Sequence, residues 1–322
     1  MANQNIGTPR FYISLGDYWR ATGSIVSGLY TISPYQTETL TIAATDTVKF
    51  FSSVVDIPNP DSCVGVNFCF VLNHDFNARP RLKQYVLYTD GATDQEDIYT
   101  ESTSNDTVNY YPDTGGYSLC TFNPWVEDYS SGEIQRHYIA SGIQNTVGTY
   151  SAGSFVFGRY FNMPHSPELS LTMSHEYDGI KKQETAGGST LSYANYYKPP
   201  DWGDLQAWQL DGWDRKYSGR RVWNLTFNHL SDSDLEPYHY NIDSTSGHTN
   251  WNEDGNWFTN VIHYTNGGQL PFIFCPDPSI GYATSTWTVP EFAICRFDMK
   301  TFKREQVANG IYNIKVKIKE SW

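Results

Sequence analysis

Short apolar runs of roughly four to eight residues, each closed by Gly, Pro, Asn, Asp or Ser, recur along the chain and predict a protein built from β-strands. In TETLTIAA, Leu40 and Ile42 alternate with Thr39 and Thr41, the period of two that marks a strand with one buried face. VNFCFVL is apolar almost throughout and predicts a strand buried on both faces. ELSLTMSHEYDGI places Leu169, Leu171 and Met173 on one face and Ser170, Thr172 and Ser174 on the other. GRRVWNLTFNHL carries Val222 and Trp223 near its start and sets Leu225 and Phe227 on one face. In the last strand, Ile314, Val316 and Ile318 alternate with Lys315, Lys317 and Lys319, so one face is oily and the other carries three positive charges. GLYTISPY, VKFFSSVV, RLKQYVLYTDG, YSLCTFNPW, EIQRHYIAS, GSFVFGRYF, QLPFIFCPD and EFAICRFDM supply the other predicted strands.

One segment has helical spacing. In WFTNVIHYTNGG, Trp257, Phe258, Val261 and Ile262 form an apolar stripe, Asp254 or Asn256 is available as N-cap, and Gly267 and Gly268 stop the helix. DGIKKQETAGGSTLSYANY predicts a hairpin turning at Gly188, and Ser231 ahead of Asp234 predicts a capping box on a short helical turn. Residues 89–116 are acidic and turn-rich and are expected to form a long exposed loop. The expected division is a terminal arm or strand over 1–28, a β-sandwich over 29–160 and a second β domain over 161–322. No internal repeat is apparent.

Composition changes this picture in two ways. Aromatics make up 16% of the 322 residues while all hydrophobics reach only 39%, so rings must supply much of the buried area. A net charge of −13 argues against a nucleic-acid partner, because phosphate binding needs clustered Lys and Arg. The five cysteines, at 63, 69, 120, 275 and 295, are odd in number and contain no CxxC pair. Cys69, Cys275 and Cys295 lie in apolar runs and are expected as buried free thiols. The opening MANQNIGTPR has neither a basic start nor an apolar segment, and no run of about 18 apolar residues occurs. Synthesis and folding in a reducing cytoplasm, without membrane contact, are therefore expected.

Candidate chemistry is sparse. Asp56, Asp61, Asp75, Glu127, Asp128, Asp201, Asp204, Asp211, Asp214, Asp232 and Asp234 offer many carboxylate pairs, but 35 acidic residues generate such pairs by chance. His74, His137, His165, His175 and His263 show no HExxH spacing, and neither a GxSxG elbow nor a Walker loop occurs. No catalytic residue, metal or cofactor is assigned. Asn73-His74-Asp75 is read as a strand end with a backbone-satisfied histidine, against a rival reading as a Ca²⁺ or sugar site. Asn266-Gly267-Gly268 is read as a helix stop, against a rival phosphate cradle. YYKPPDWGDLQAWQLDGWD gathers Tyr196, Tyr197, Trp202, Trp208 and Trp213 among four Asp residues. Those rings either fold back onto the protein, form a subunit interface or stack on glycans.

Four segments in order carry a family resemblance: GRRVWNLTFNHL, a helix ending NGGQLPFIFCPD, FAICRFD, and QVANGIYNIKVKIKESW. Over about residues 155–322 this set resembles the distal tail and minor tail proteins of long-tailed bacteriophages, including structural proteins of marine phages that begin with an IGTPRFYI-like segment. VNFCFVLNHDFNARPRL is similar to a signature of jelly-roll domains in phage tail proteins. The resemblance implies an all-β protein, with a carboxy-terminal split β-barrel or sandwich carrying one packed helix and an amino-terminal jelly-roll-like β-sandwich. It implies a non-enzymatic virion component forming a ring, commonly hexameric, between the tail tube protein and the hub and fibre proteins. On that reading Arg220, Arg221, Trp223, Lys315, Lys317 and Trp322 are expected at the subunit interface, with the arginines pairing to a neighbour's carboxylates. The alternatives are a glycan- or receptor-binding tail accessory and a capsid decoration or head-to-tail connector.

Overall fold

The computed structural model describes residues 6–23, 28–33, 36–44, 48–57, 67–75, 80–88, 93–97, 108–110, 116–121, 134–144, 147–176, 181–193, 220–236, 256–279 and 292–321. Strands dominate and helices are few, so the chain is all-β, and among the described residues no sheet closes on itself.

In chain order the strands begin with β1 (Arg10–Ser14), β2 (Glu38–Ile42), β3 (Val48–Ile57), β4 (Phe68–His74), β5 (Pro80–Tyr88) and β6 (Thr93–Asp97). They continue with β7 (Val108–Tyr110), β8 (Gly116–Thr121), β9 (Ile134–Gln144), β10 (Gly148–Ala152), β11 (Ser154–Asn162) and β12 (Thr172–Glu176). The set ends with β13 (Lys181–Glu184), β14 (Thr190–Tyr193), β15 (Arg220–Ser231), β16 (Phe272–Cys275), β17 (Ala293–Phe297), β18 (Arg304–Ala308) and β19 (Ile311–Glu320). One 11-stranded antiparallel sheet runs β12-β15-β19-β17-β16-β1-β11-β4-β8-β7, with β18 attached to β19. The smaller sheets are β3-β9-β5-β6, β10-β2 and the β13-β14 hairpin.

The centre of the large sheet is buried on both faces. On β4, Cys69 and Val71 enter one core cluster while Phe68, Phe70 and Leu72 enter the other. β1 divides in the same way, Phe11 and Ile13 against Tyr12. That is why these strands read as unbroken apolar runs. At the β15–β19 end Trp223, Leu225, Phe227, Ile314, Val316 and Ile318 join the first cluster, while the opposite face is mainly polar apart from the buried Val222. The expected alternation on β19 is found there, and Leu40 and Ile42 on β2 are likewise the buried pair.

The amino-terminal segment is a central strand. β1 pairs with β11 on one side and β16 on the other, stitching together chain ends more than 100 residues apart. The division expected between 160 and 161 falls inside β11, which pairs with both β1 and β4, so one sheet runs across it. GLYTISPY, expected as a strand, instead contains a 3₁₀ turn at Gly28–Tyr30. Strands β6 and β7 lie within 89–116, where a loop was expected. Leu169 was expected on a buried face but is fully exposed, because the chain turns there before β12 begins at Thr172.

The two longest helices among the described residues pack on the first face. α1 (Leu15–Ala21), unmarked by any apolar periodicity, follows β1 directly, and Ser14 Oγ caps it by accepting the Asp17 N–H at 3.1 Å. The predicted second helix is present but is wound as a π-helix over Phe258–His263. Asn256, fully buried, accepts the Thr259 N–H through Oδ1 at 2.8 Å. Trp257, Val261 and Ile262 are buried as expected; the wider turn leaves Phe258 39% exposed. Trp257 plugs into rings from three strands, Phe11 at 5.1 Å, Phe161 at 5.9 Å and Phe297 at 5.8 Å between centroids. Asn266, Gly267 and Gly268 all have positive φ, so the stop signal acts as expected. The capping box is also present, Ser231 Oγ accepting from Asp234 N–H and Asp234 accepting from Ser231 N–H.

The two helices meet where Tyr18 Oη and His263 Nε2 lie 2.9 Å apart. Burial pushes His263 below the usual histidine range and Tyr18 above the usual tyrosine range. A lowered histidine favours the neutral ring in the folded state, so its contribution is present above the ordinary histidine value and is lost as pH falls. His263→Gln is therefore expected to flatten the stability profile between about pH 5 and pH 7, as measured by denaturant titrations across that range. An unchanged slope would contradict this.

Candidate functional site

β15 is an interior strand, lying between β12 and β19, and its pleat decides what the Arg-Arg-Val-Trp segment can do. Arg221 and Trp223 turn toward the covered side; Arg220 turns with Val222 to the other. Trp223 is 1% exposed and packs edge-on to Phe274 at 5.2 Å. Its expected place at a subunit interface is thus corrected: it is a core residue. Arg221 does take a carboxylate in bidentate fashion, but the carboxylate is Glu320 of its own chain. Nη2 lies 2.8 Å from Oε1 and Nε lies 3.0 Å from Oε2, while the Arg221 backbone N–H donates to Oε2 at 2.9 Å. Both side chains are nearly buried, at 11% and 4% exposure. The guanidinium also sits 5.2 Å from the Trp223 ring centroid. This pair clamps the start of β15 to the end of β19.

The lysine row on the polar face is likewise engaged internally. Lys319 Nζ donates to Glu176 Oε2 at 2.6 Å, and Lys317 Nζ lies 2.6 Å from Asp298 Oδ2 and 3.7 Å from Glu176 Oε1. The hydrogen bond that Lys317 donates to Asp298, with smaller help from Glu176, holds Lys317 above the usual lysine range. Glu176 closes β12, so the bridge ties the last strand of the sheet to β19 across β15. Lys315 is exposed and takes no part in it. Trp322, Tyr196, Tyr197, Trp202, Trp208 and Trp213 lie outside the described residues.

Lys315 instead borders an open groove of about 480 Å³. The outer edge of β19 pairs with β17 at Ile318–Glu320 and with β18 at Ile311–Ile314, and residues 298–303 bridge the interval. There Asp298 N–H donates to the Lys317 carbonyl at 2.8 Å, and Phe302 stacks edge-on against Phe297 at 5.2 Å. Leu235, Trp257, Ile262, Ile314 and Val316 line the floor, and all are buried. Phe258 and Phe302 also line it, and the rim carries Lys300, Lys303 and Arg304, while Lys315 borders it between Ile314 and Val316 with its side chain on the opposite, polar face of β19. Arg304 is paired with Glu236; among the described residues no carboxylate pairs with Lys300, Lys303 or Lys315. An apolar floor under a cationic rim suits an anionic segment with an apolar anchor.

Asn73-His74-Asp75 serves the backbone. Asn73 has φ 51°, His74 is buried, and Asp75 Oδ1 accepts the Ser151 N–H at 2.6 Å. Among the described residues no group of three His, Cys, Asp or Glu is placed to hold a metal ion. Cys69, Cys275 and Cys295 are buried free thiols, as expected, and burial pushes the Cys69 thiol up to about 12. Among the described residues no helix is long and apolar enough to cross a membrane.

Motif reading missed Glu176, Asp298, Glu320, Lys300, Lys303 and Arg304. A signal existed: residues 296–319 hold seven Lys and Arg against two acids, in a chain of net charge −13. No family model matches this chain, and no match was found among curated proteins or among solved structures.

Proposed function

We propose that this chain is a non-enzymatic structural subunit of a long-tailed phage particle, forming a distal-tail ring that joins the tail tube to the hub and fibre proteins. The sequence resemblance over about residues 155–322 supplies the phage context. In this reading the half-covered β12–β15–β19 end and its π-helix are the counterpart of that group's split barrel, and the β3-β9-β5-β6 sheet belongs to an added jelly-roll-like sandwich. The partners are copies of the same chain, commonly six, with no contact to nucleic acid or membrane required.

The observation that carries the assembly reading is the end of the large sheet. β12 pairs with β15 on one side and, among the described residues, with no strand on the other. Leu169 beside it is 100% exposed, and Leu191, on the neighbouring segment of chain in the β13–β14 hairpin, is 58% exposed. An open strand edge accompanied by bare leucines invites pairing with another chain. Because both leucines already face solvent, Leu169→Lys with Leu191→Lys is expected to dissolve the oligomer while leaving the thermal midpoint nearly unchanged. Light scattering on purified protein reads the first effect and calorimetry the second. Cryo-electron microscopy of intact particles reads the location; absence of the chain from any tail ring would sink the proposal.

A further inference from the structure

All of residues 181–192 are exposed, and the β13–β14 hairpin they form pairs with no other strand among the described residues. A two-stranded ribbon standing alone is marginally stable in water, and a further strand stabilises it. Across the β15–β19 ribbon from β12, a second edge is equally bare. β18 pairs with β19 alone among the described residues, and all five of its residues are exposed. Its open edge presents backbone donors and acceptors to an incoming strand.

The two edges carry the same charge pattern. β13 contains Lys182-Gln183-Glu184, and the chain enters β18 through Lys303-Arg304-Glu305. Laid antiparallel with Gln183 opposite Arg304, each lysine falls opposite the other segment's glutamate, Lys182 against Glu305 and Lys303 against Glu184. All four are exposed, and among the described residues none of the four takes part in an ion pair. Arg304 already has Glu236. Pairing β18 with its own copy would match the same charges, but it would set Arg304 opposite Arg304 and leave the hairpin bare. Pairing β13 with its own copy would leave β18 bare.

Resting on the assembly reading above, we propose that the β13–β14 hairpin of one copy adds to the open edge of β18 in the next copy of this chain, β13 against β18 and antiparallel. Main-chain hydrogen bonds continue the β18–β19 ladder into the hairpin, and the two Lys-x-Glu segments fix the register. β12, which leads into the hairpin, and β18 lie on opposite sides of the β15–β19 ribbon. The contact is therefore heterologous, and a heterologous contact whose rotation closes builds a ring.

Exchanging charges in the full chain, without altering their sum, tests it. Lys182→Glu with Glu184→Lys sets like charges opposite each other at two positions and is expected to raise the concentration needed for assembly roughly tenfold. Lys303→Glu with Glu305→Lys is expected to do the same. The four substitutions together restore both attractions and are expected to return assembly to its original concentration. Light scattering across a dilution series reads all of these proteins. A contact of either segment with its own copy is indifferent to the exchange, because an inverted pair still matches itself. If either double exchange leaves assembly unmoved, or the four together fail to rescue it, the inference is overturned while the ring reading stands on its β12 edge. If the unsubstituted chain stays monomeric at every concentration, the ring reading and this contact fall together.

Discussion

Arg221→Leu is expected to lower the thermal midpoint by roughly 5–15 °C, the consequence of leaving Glu320 buried without its counter-charge. Removing one partner of a buried pair costs about 3–5 kcal/mol. For a chain of this size each kcal/mol moves the midpoint by roughly 2–4 °C or somewhat less. Glu320 is 3% exposed and receives three hydrogen bonds from Arg221, so no solvent replaces what is lost. The double replacement Arg221→Leu/Glu320→Leu is expected to recover most of the loss, because it removes both charges together. Differential scanning calorimetry on the three variants checks this. Equal losses in the single and double variants would show that the site depends on arginine packing and not on pairing.

Gly158→Ala is expected to be at least as damaging, for a reason of geometry. Gly158 lies on β11 opposite Ser14 of β1, and a Cβ there would overlap the backbone oxygen of Ile13 and approach the Leu15 nitrogen at 3.2 Å. Backbone in the middle of a sheet covered on both faces cannot step aside, so a cost of about 3 kcal/mol or more is expected. Gly187→Ala is the control. A Cβ at Gly187 meets nothing within 4 Å, so its effect is expected within about 0.5 kcal/mol. Urea unfolding of the two variants side by side decides the matter, and a mild Gly158→Ala would mean that β1 and β11 are less tightly held than their register implies.

Much of the local architecture was legible because it rests on short-range chemistry. Ser231 and Asp234 form a capping box from four consecutive residues, and Asn266-Gly267-Gly268 stops a helix through backbone angles that glycine and asparagine tolerate. The unbroken apolar run of β4 announced two covered faces, and the β19 alternation announced one. α1 gave no such notice. Seven residues starting directly after a strand show too little periodicity, and its Ser14 cap is visible only once the helix is known. The π-winding of Phe258–His263 was equally silent, since a wider turn changes which residue escapes burial without changing composition.

Strand position decided what the expected interface residues do within the chain, and it removes Trp223 from the surface. Arg221 and Trp223 looked like surface anchors, yet β15 sits between two strands, and alternation then sends both inward. Lys317 and Lys319 looked like a bare cationic row, yet Glu176 from β12 and Asp298 from the bridging loop reach them. Those acids lie 143 and 19 positions away from their lysines, and no spacing rule connects them.

The amino-acid sequence alone therefore determined the strand-rich class, the aromatic core, the buried thiols, the caps and the inward faces of β2, β4 and β19, because each follows from neighbours a few residues apart. Only the tertiary structure decided that the amino-terminal strand lies at the centre of the sheet, that Arg221 closes on Glu320, and that Lys300, Lys303 and Arg304 gather at one groove. Those outcomes depend on strand order, and order is set by how distant segments share two hydrophobic faces, a contest between alternatives that local pattern does not rank.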